Sequence, residues 1–221
     1  MSAGAPPTAR KSTLFLEVSA LAAEHARVDC LIVPLFGDER PLRESAGRAD
    51  WRLCGRLSDL LGAGRISGRR GEAVLIASFG GLAAPLVLGL GMGLRMDFDA
   101  DGIVAFGREA VRRGAGLRVA AIALGLPDPD HDATGLAERI ERLLFGAVEG
   151  LASREGRPGE LRLHLLVRPD ELARAQEFAR TCRPARLPAA VTLRLVETVE
   201  RRDPRGARVN VPDPRVADSV K

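Results

Sequence analysis

The glycine-rich segment Gly89-Leu90-Gly91-Met92-Gly93 has the residue types of a loop that binds a ligand. It follows an apolar run typical of a strand and precedes a predicted helix, a context in which backbone N–H groups can bind phosphate. The segment lacks the Lys-Ser/Thr pair of a P-loop and the third glycine, at the required spacing, of a dinucleotide-binding motif. Three acidic residues that follow would repel a phosphate: Asp97, Asp99 and Asp101. The pattern favours a tight turn with positive φ, and Gly89, Gly91 and Gly93 are kept as candidate ligand-binding residues.

A second group of chemically active side chains is an acidic cluster between two predicted elements. Its members are Asp128, Asp130, His131 and Asp132. Carboxylates bind divalent cations, but the cluster lacks the regular ligand spacing of a calcium loop. The pattern is more typical of a solvated turn in which Asp132 or Thr134 caps the next helix. We therefore predict no metal site and no cofactor.

Neither a catalytic residue nor a catalytic pair is predicted from the remaining side chains. His25 follows an alanine-rich stretch and His164 lies in a predicted strand, and no Ser or Cys nearby recommends either as its general base. Trp51 begins a predicted amphipathic helix over 51–61. Because tryptophan is enriched at the centres of protein interfaces, Trp51 is a candidate interaction residue. Packing within the fold is the competing interpretation of Trp51, and the sequence favours it.

The composition and charge of the chain argue against two classes of protein, those that bind nucleic acids and those that span a membrane. The chain has 221 residues, of which 46% are hydrophobic, and its net charge of +4 comes almost entirely from arginine. Arginine alternates with Asp and Glu, which indicates a solvated surface, so nucleic-acid binding is not expected. No apolar run reaches the ~20 residues that span a membrane, and residues 1–11 do not resemble a secretion signal. Three cysteines without CxxC spacing predict buried free thiols and a cytoplasmic location: Cys30, Cys54 and Cys182.

Apolar periodicity predicts strands alternating with helices, and therefore a three-layer α/β/α domain with a mixed, mostly parallel sheet. Strands are predicted at 13–19, 29–35, 73–79, 85–90, 117–124, 161–167 and 191–199, and helices at 51–61, 99–113, 135–153 and 169–180. The run at 29–35 is continuously apolar, which favours a central strand buried on both faces. We expect one domain over 13–200 between two disordered tails, 1–12 and 201–221.

Three parts of the chain resemble the N-terminal domain of the cytosolic leucine aminopeptidases. The first is the run Val28-Asp29-Cys30-Leu31-Ile32-Val33-Pro34-Leu35-Phe36. The second is the turn Leu88-Gly89-Leu90-Gly91, which precedes an acidic helix, and the third is the strand end Ala121-Ile122-Ala123-Leu124-Gly125-Leu126-Pro127. Their order and spacing match the family through about residue 167. The resemblance implies a macro-like fold. It also implies that the two-metal catalytic centre, which the family carries in a separate C-terminal domain, is absent.

The resemblance leads us to expect a non-catalytic protein-interaction or regulatory module, with a protein partner or self-association. The alternatives are a nucleotide-like or ADP-ribose-type ligand at 89–93, and DNA binding, which some family members combine with peptidase activity. Macro domains contact ribose through an Asn-Ala-Ala-Asn segment, whereas this chain has Pro34-Leu35-Phe36-Gly37 at that place. ADP-ribose hydrolysis is therefore not expected.

Overall fold

The computed structural model describes residues 12–129, 134–153, 159–182, 191–196, 198–202 and 208–212. The strands in these ranges are β1 Ser12–Ser19, β2 Cys30–Phe36, β3 Ala73–Ala77, β4 Leu86–Gly93, β5 Ala121–Gly125, β6 Glu160–Leu166, β7 Val191–Leu195, β8 Thr198–Arg202 and β9 Arg208–Pro212. The helices are α1 Glu44–Arg52, α2 Arg56–Gly62, α3 Ala100–Gly116, α4 Leu136–Ala152 and α5 Leu172–Thr181, with short 3₁₀ helices at Ala23–His25 and Arg95–Asp97.

Seven strands form one mixed sheet in the order β3-β4-β2-β5-β6-β1-β7. All neighbouring pairs are parallel except β3 and β4, which form an antiparallel hairpin; the sequence left open whether these two runs form a hairpin or merely neighbouring strands. The predicted α/β class and mostly parallel sheet are therefore confirmed. The parallel arrangement brings the carboxyl ends of most strands to one edge of the sheet, where open α/β folds bind ligands.

Strand β2 lies at the centre of the sheet and is buried along its whole length, as the continuous apolar run predicts. It runs through Pro34 to Phe36, one residue beyond the predicted end of the run at Leu35. Strand β5 pairs only with Cys30–Ile32, so β2 has no strand partner on that side beyond Ile32. A proline, which cannot donate a backbone hydrogen bond, is tolerated at such an unpaired position.

Two hydrophobic cores, one on each face of the sheet, complete the predicted three layers. The first core packs α3, α4 and α5 against the sheet through residues such as Phe106, Leu143 and Ala175. The second packs the first 3₁₀ helix, α1 and α2 against the other face through residues such as Ala46 and Leu57. None of the helices in the described part of the chain is long and apolar enough to cross a membrane.

Helices α3 and α4 cross at a distance that only glycine permits. A Cβ atom on Gly146 would overlap the carbonyl of Val104, and one on Gly150 would overlap the carbonyl of Arg108. On the opposite helix, a Cβ atom on Gly107 would overlap the carbonyl of Leu143. The sequence predicts both helices, including the apolar face of α4, but not this backbone contact.

The predicted helix 51–61 is wrong in its start and its continuity. Two helices, α1 and α2, meet at a turn in which Cys54 has φ +55° and Gly55 has φ +83°. The buried Asp50 carboxylate accepts hydrogen bonds from the Leu57 amide at 2.7 Å and the Ser58 hydroxyl at 2.5 Å, and so fixes the start of α2.

The three cysteines do not share the buried state that the sequence predicts. Cys54 is exposed at the turn between α1 and α2, whereas Cys30 and Cys182 are buried. Burial raises the pKa of the Cys30 thiol to about 11, so this group is protonated at neutral pH.

Described strands begin or lie within both segments that were predicted to be disordered tails. Residues 1–11 lie outside the described residues, but Ser12 already belongs to β1. In the segment 201–221, predicted to be disordered, strand β9 pairs antiparallel with β8. The proline and charge content of this segment therefore does not prevent a hairpin.

Candidate functional site

A cavity of about 360 Å³ opens at the carboxyl ends of β1, β5 and β6, which are neighbours in the sheet. The residues that follow these strands line it, together with side chains from α1, from α4 and from the segment before α5. We call this cavity the carboxyl-edge cleft. Its position matches the place where ligands bind in open α/β sheets.

A buried ion pair forms one side of the carboxyl-edge cleft. Arg139 of α4 donates from Nη2 to Glu171 Oε1 at 2.5 Å, and their side chains are only 5% and 3% exposed. Arg139 Nη1 lies 3.5 Å from Asp128 Oδ1, while the buried Arg139 Nε has no hydrogen-bond partner. Arg168 donates to the same Glu171 oxygen at 2.9 Å. Glu171 is thus shared by two arginines.

A second buried arginine connects this network to the loop after β2. Arg95 Nη2 donates to the backbone carbonyl of Asp128 at 2.7 Å, and Nη1 lies 3.7 Å from Glu39. The Arg95 guanidinium stacks 4.8 Å above the Phe36 ring. These contacts tie the loops that follow β2, β4 and β5 to one another.

Glu44 lines the carboxyl-edge cleft and has a pKa shifted by its surroundings. Burial raises its pKa above the ordinary value; the Arg95 charge partly offsets this, and Asp128 and Glu39 raise the pKa further. Its backbone has φ +49°, a conformation that costs energy for any residue with a side chain. Strain and a raised pKa together are features that cluster at functional sites.

The remaining walls of the cleft combine apolar surface with two solvent-facing arginines. Arg48 and Arg168 each keep 60% of their side chain exposed, although Arg48 lies 3.3 Å from Glu24 and Arg168 lies 3.4 Å from Asp128. The apolar lining includes Leu21, Ala22, Ala23, Leu126, Val167 and Pro169. This combination suits a ligand that has one apolar part and one anionic part.

The predicted glycine turn is in fact part of strand β4. A Cβ atom on Gly91 would overlap the carbonyl of Arg69, and one on Gly89 would lie 2.5 Å from the Leu35 side chain. Only Gly93 has the positive φ that the sequence analysis attributed to the turn, at +93°. The segment 68–70 packs over Gly91 and Gly93, and none of the three glycines lines the carboxyl-edge cleft. A ligand-binding role for the three glycines remains a prediction.

The acidic cluster lies only partly within the described residues. Asp128 lines the carboxyl-edge cleft, whereas Asp130, His131 and Asp132 lie outside the described residues. The N-cap of α4 is Gly135 without a side-chain cap, so capping by Thr134 is wrong. Among the residues that the structure describes, no group of three or more His, Cys, Asp or Glu is placed to hold a metal ion.

The two described histidines lie apart from the cleft lining. His164 pairs across β6 and β1 with Glu17, with 3.3 Å between Nδ1 and Oε2. Burial lowers the pKa of His164, and the Glu17 charge opposes this shift. His25 is exposed at the end of the first 3₁₀ helix. The interpretation of His164 as a structural residue agrees with this pairing.

A second surface, which we call the apolar edge, consists of strand β3, the turn 78–81 and Trp51. Trp51 is 76% exposed near the end of α1, and Phe79 is 97% exposed in the turn with φ +48°. The favoured packing interpretation of Trp51 is therefore wrong. Arg52 donates from Nε to the carbonyl of Gly81 at 3.0 Å, and its guanidinium lies 6.0 Å from the Trp51 ring centre. Arg52 thus joins Trp51 to the turn that carries Phe79.

The sequence analysis missed Arg139 and Glu171. A signal for Arg139 exists, because it lies between Leu136 and Leu143 on the apolar face of α4, where a charged side chain needs a buried partner. Glu171 has no comparable signal, since it follows Pro169 and Asp170 in the first turn of the predicted helix 169–180, where an acidic residue is ordinary.

Comparison with known proteins agrees with the fold. Residues 32–154, more than half of the chain, match the model of the cytosol aminopeptidase family, N-terminal domain. A probable cytosol aminopeptidase of Corynebacterium diphtheriae is 31% identical over 155 residues, which cover 68% of this chain and 30% of the relative. One from Xanthomonas oryzae is 39% identical over 72 residues, or 33% of this chain and 14% of the relative. The chain spans less than a third of these relatives.

Solved structures show the same fold at low sequence identity. A mutant of tomato leucine aminopeptidase superposes with a TM-score of 0.57 at 16% identity, over 80% of this chain and 37% of that one. The Oceanobacillus iheyensis macrodomain with ADP superposes with a TM-score of 0.56 at 10% identity, over 74% of this chain and 89% of that one. These similarities establish the macro-like architecture.

Proposed function

The chain belongs to the cytosol aminopeptidase family through the N-terminal domain, and from this premise we propose that it is a non-catalytic protein-interaction module. Its matched region is the domain that precedes the family's remaining sequence, and it covers 30% of the Corynebacterium relative. The relatives are called cytosol aminopeptidases, which supports the cytoplasm as its location. Peptidase activity belongs to those whole proteins and is not part of the proposal.

The apolar edge is the observation that carries this proposal. Large apolar side chains that face solvent cost free energy unless another surface covers them. Phe79 combines nearly complete exposure with a left-handed backbone that a non-glycine residue adopts only when its surroundings impose it. Trp51 and Arg52, which lie beside the same turn, are the residue types that dominate binding energy at interfaces.

Substitution of the two aromatic residues tests the proposal. The tagged wild-type chain is expressed in its own host together with an untagged copy and is purified from the extract by its tag. We expect a protein to copurify with it in stoichiometric amount. The double variant Trp51→Ser, Phe79→Ser should lose this protein, because each central aromatic side chain contributes at least ~2 kcal/mol, or about 30-fold in affinity. Quantitative mass spectrometry of the recovered proteins provides the measurement.

The matched control for this experiment is Met96→Ser. Met96 is also a large exposed apolar side chain, at 65%, but it lies in the second 3₁₀ helix, outside the apolar edge. The control should recover the same protein as the wild type. Recovery that is unchanged in the double variant would refute the apolar edge as the binding surface.

The carboxyl-edge cleft favours a second candidate function, the binding of a nucleotide-like ligand. The cleft offers an apolar wall for a planar base and two exposed arginines, Arg48 and Arg168, for phosphate. The macro-like fold of a protein solved with ADP is consistent with this candidate, but fold similarity alone does not carry function.

A thermal unfolding titration with ADP and ADP-ribose tests this candidate. A ligand at a free concentration of 100 times its Kd adds about 2.7 kcal/mol to the free energy of unfolding. This increase raises the Tm of a domain of this size by roughly 5–10 °C. Arg168→Ala should abolish the increase, whereas Arg174→Ala, at an exposed position on α5 outside the cleft, should retain it. A Tm that neither compound changes would eliminate the candidate.

A further inference from the structure

Strand β3 ends the sheet on one side and, within the described residues, has no neighbour beyond it. The strand reads Ala73-Val74-Leu75-Ile76-Ala77 and contains no charge and no proline. Proteins protect exposed edge strands with charges, prolines or bulges, because a free edge pairs readily with another strand. An unprotected edge of this kind therefore calls for a specific covering strand.

The hydrogen bonds between β3 and β4 show which backbone groups the free edge offers. The Gly91 amide donates to the carbonyl of Glu72, and the Ser78 amide donates to the carbonyl of Pro85, each at 2.9 Å. In an antiparallel ladder, residues alternate between pairs that exchange hydrogen bonds and pairs that do not. Since Glu72 and Ser78 face β4, the N–H and C=O groups of the odd-numbered residues point away from it: Ala73, Leu75 and Ala77.

We propose that β3 pairs antiparallel with β3 of a second copy of this chain, about a two-fold axis at Leu75. This pairing places Leu75 opposite Leu75, Val74 opposite Ile76, and Ala73 opposite Ala77. All three odd-numbered residues then meet odd-numbered residues, so their outward N–H and C=O groups are paired in full. The pairing is isologous, because Val74 of each copy meets Ile76 of the other, and alanine lies at both ends of the paired segment.

Side chains beside the strand fit the same register. Glu72 of one copy lies opposite Ser78 of the other, so no like charges meet. Beyond the strand, Phe79 lies near Gly71 of the second copy. Gly71 has no side chain and nothing within 4 Å of its Cβ position, which leaves room for an aromatic ring. The two-fold pairing thus covers both Leu75 and Phe79.

This inference rests on the proposed function and names its partner as a second copy. A pair of charge variants tests it in the full chain. Leu75 is 44% exposed, and the core side chains Val74 and Ile76 alternate with it along the strand, so the fold should tolerate Leu75→Lys and Leu75→Glu. In each variant, two like charges lie directly opposite each other across the axis.

Sedimentation velocity should show a concentration-dependent dimer for the wild type and for the control Met96→Lys, and monomers for both Leu75 variants. A mixture of Leu75→Lys and Leu75→Glu should regain a dimer, because opposite charges now face each other. A wild type that stays monomeric, or Leu75 variants that still dimerise, would overturn the self-pairing. The extract experiment with Trp51 and Phe79 is independent of this result and would still identify a different protein partner.

Hydrogen exchange gives a second test that needs no substitution. On dimerisation of the wild type, the amides of Ala73, Leu75 and Ala77 should become protected, while the amides of Val74 and Ile76, already bonded to β4, should change little. Uniform protection of β3, or none in a dimer, would overturn the proposed register.

Discussion

Replacement of Gly146 by alanine is expected to destabilise the fold by about 3 kcal/mol, the upper end of the range for overpacking. The new Cβ atom would overlap the backbone of Val104, and backbone, unlike a side chain, cannot rotate away. Helices α3 and α4 must therefore move apart and lose packing along their whole contact. Urea unfolding provides the measurement, with an unchanged m-value expected if the unfolded state is unaffected.

The control for this prediction is Gly116→Ala at the end of α3. No atom lies within 4 Å of the Cβ position of Gly116, so alanine adds helix propensity without a clash. We expect its stability to match or slightly exceed that of the wild type. Equal stabilities of the Gly146 and Gly116 variants would contradict the close approach of α3 and α4.

Replacement of Arg139 by methionine is expected to cost roughly 3 kcal/mol, near the lower end for breaking a buried ion pair. Glu171 would remain buried without its 2.5 Å partner, but Arg168 would still donate to it at 2.9 Å. That remaining contact keeps the loss near the lower end of the range expected for a buried charge that loses its partner. Urea unfolding of the variant against the wild type measures this difference.

The double variant Arg139→Met, Glu171→Met should recover most of the lost stability. Replacing both partners by apolar side chains removes the buried charge, and the Arg139 Nε atom already lacks a hydrogen bond in the wild type. If the double variant is less stable than Arg139→Met alone, the ion pair stabilises the fold by more than the free energy needed to remove its two charges from water.

Elements with a strong local pattern were predictable from the sequence. The apolar run of β2 identified the central strand, and two closely spaced apolar runs identified β3 and β4 as strands, because both patterns depend only on neighbouring residues. The apolar stripe of α4, including Ile140 and Leu143, predicted the buried face that the structure confirms.

Helix α1 was missed because its buried face lacks a large apolar pattern. That face consists of small or polar residues, Ser45, Ala46, Ala49 and Asp50, which give little hydrophobic periodicity. Asp50 is buried because it accepts hydrogen bonds from α2, a partner that no spacing rule reveals. The helix start was therefore placed at Trp51, where the leucine spacing begins.

The candidate site was less predictable than the fold because long-range contacts create it. Arg139 and Glu171 meet only after α4 and the segment before α5 pack at the same sheet edge. Gly89 and Gly91 are glycines for a related reason, because neighbouring parts of the fold leave no room for a side chain: the Leu35 side chain lies against Gly89, and the backbone of Arg69 lies against Gly91. From the sequence alone, glycines required by such close contacts cannot be distinguished from those of a glycine-rich turn.

The most direct test of the interaction proposal is photo-crosslinking in the living host, with a photoreactive phenylalanine analogue in place of Phe79. We predict a covalent adduct between the chain and one protein, which mass spectrometry would identify as a second copy or as another partner. The same analogue at Met96 should give no adduct. If the chain with the analogue at position 79 stays uncrosslinked, the apolar edge does not contact protein in the cell and the proposed function is wrong.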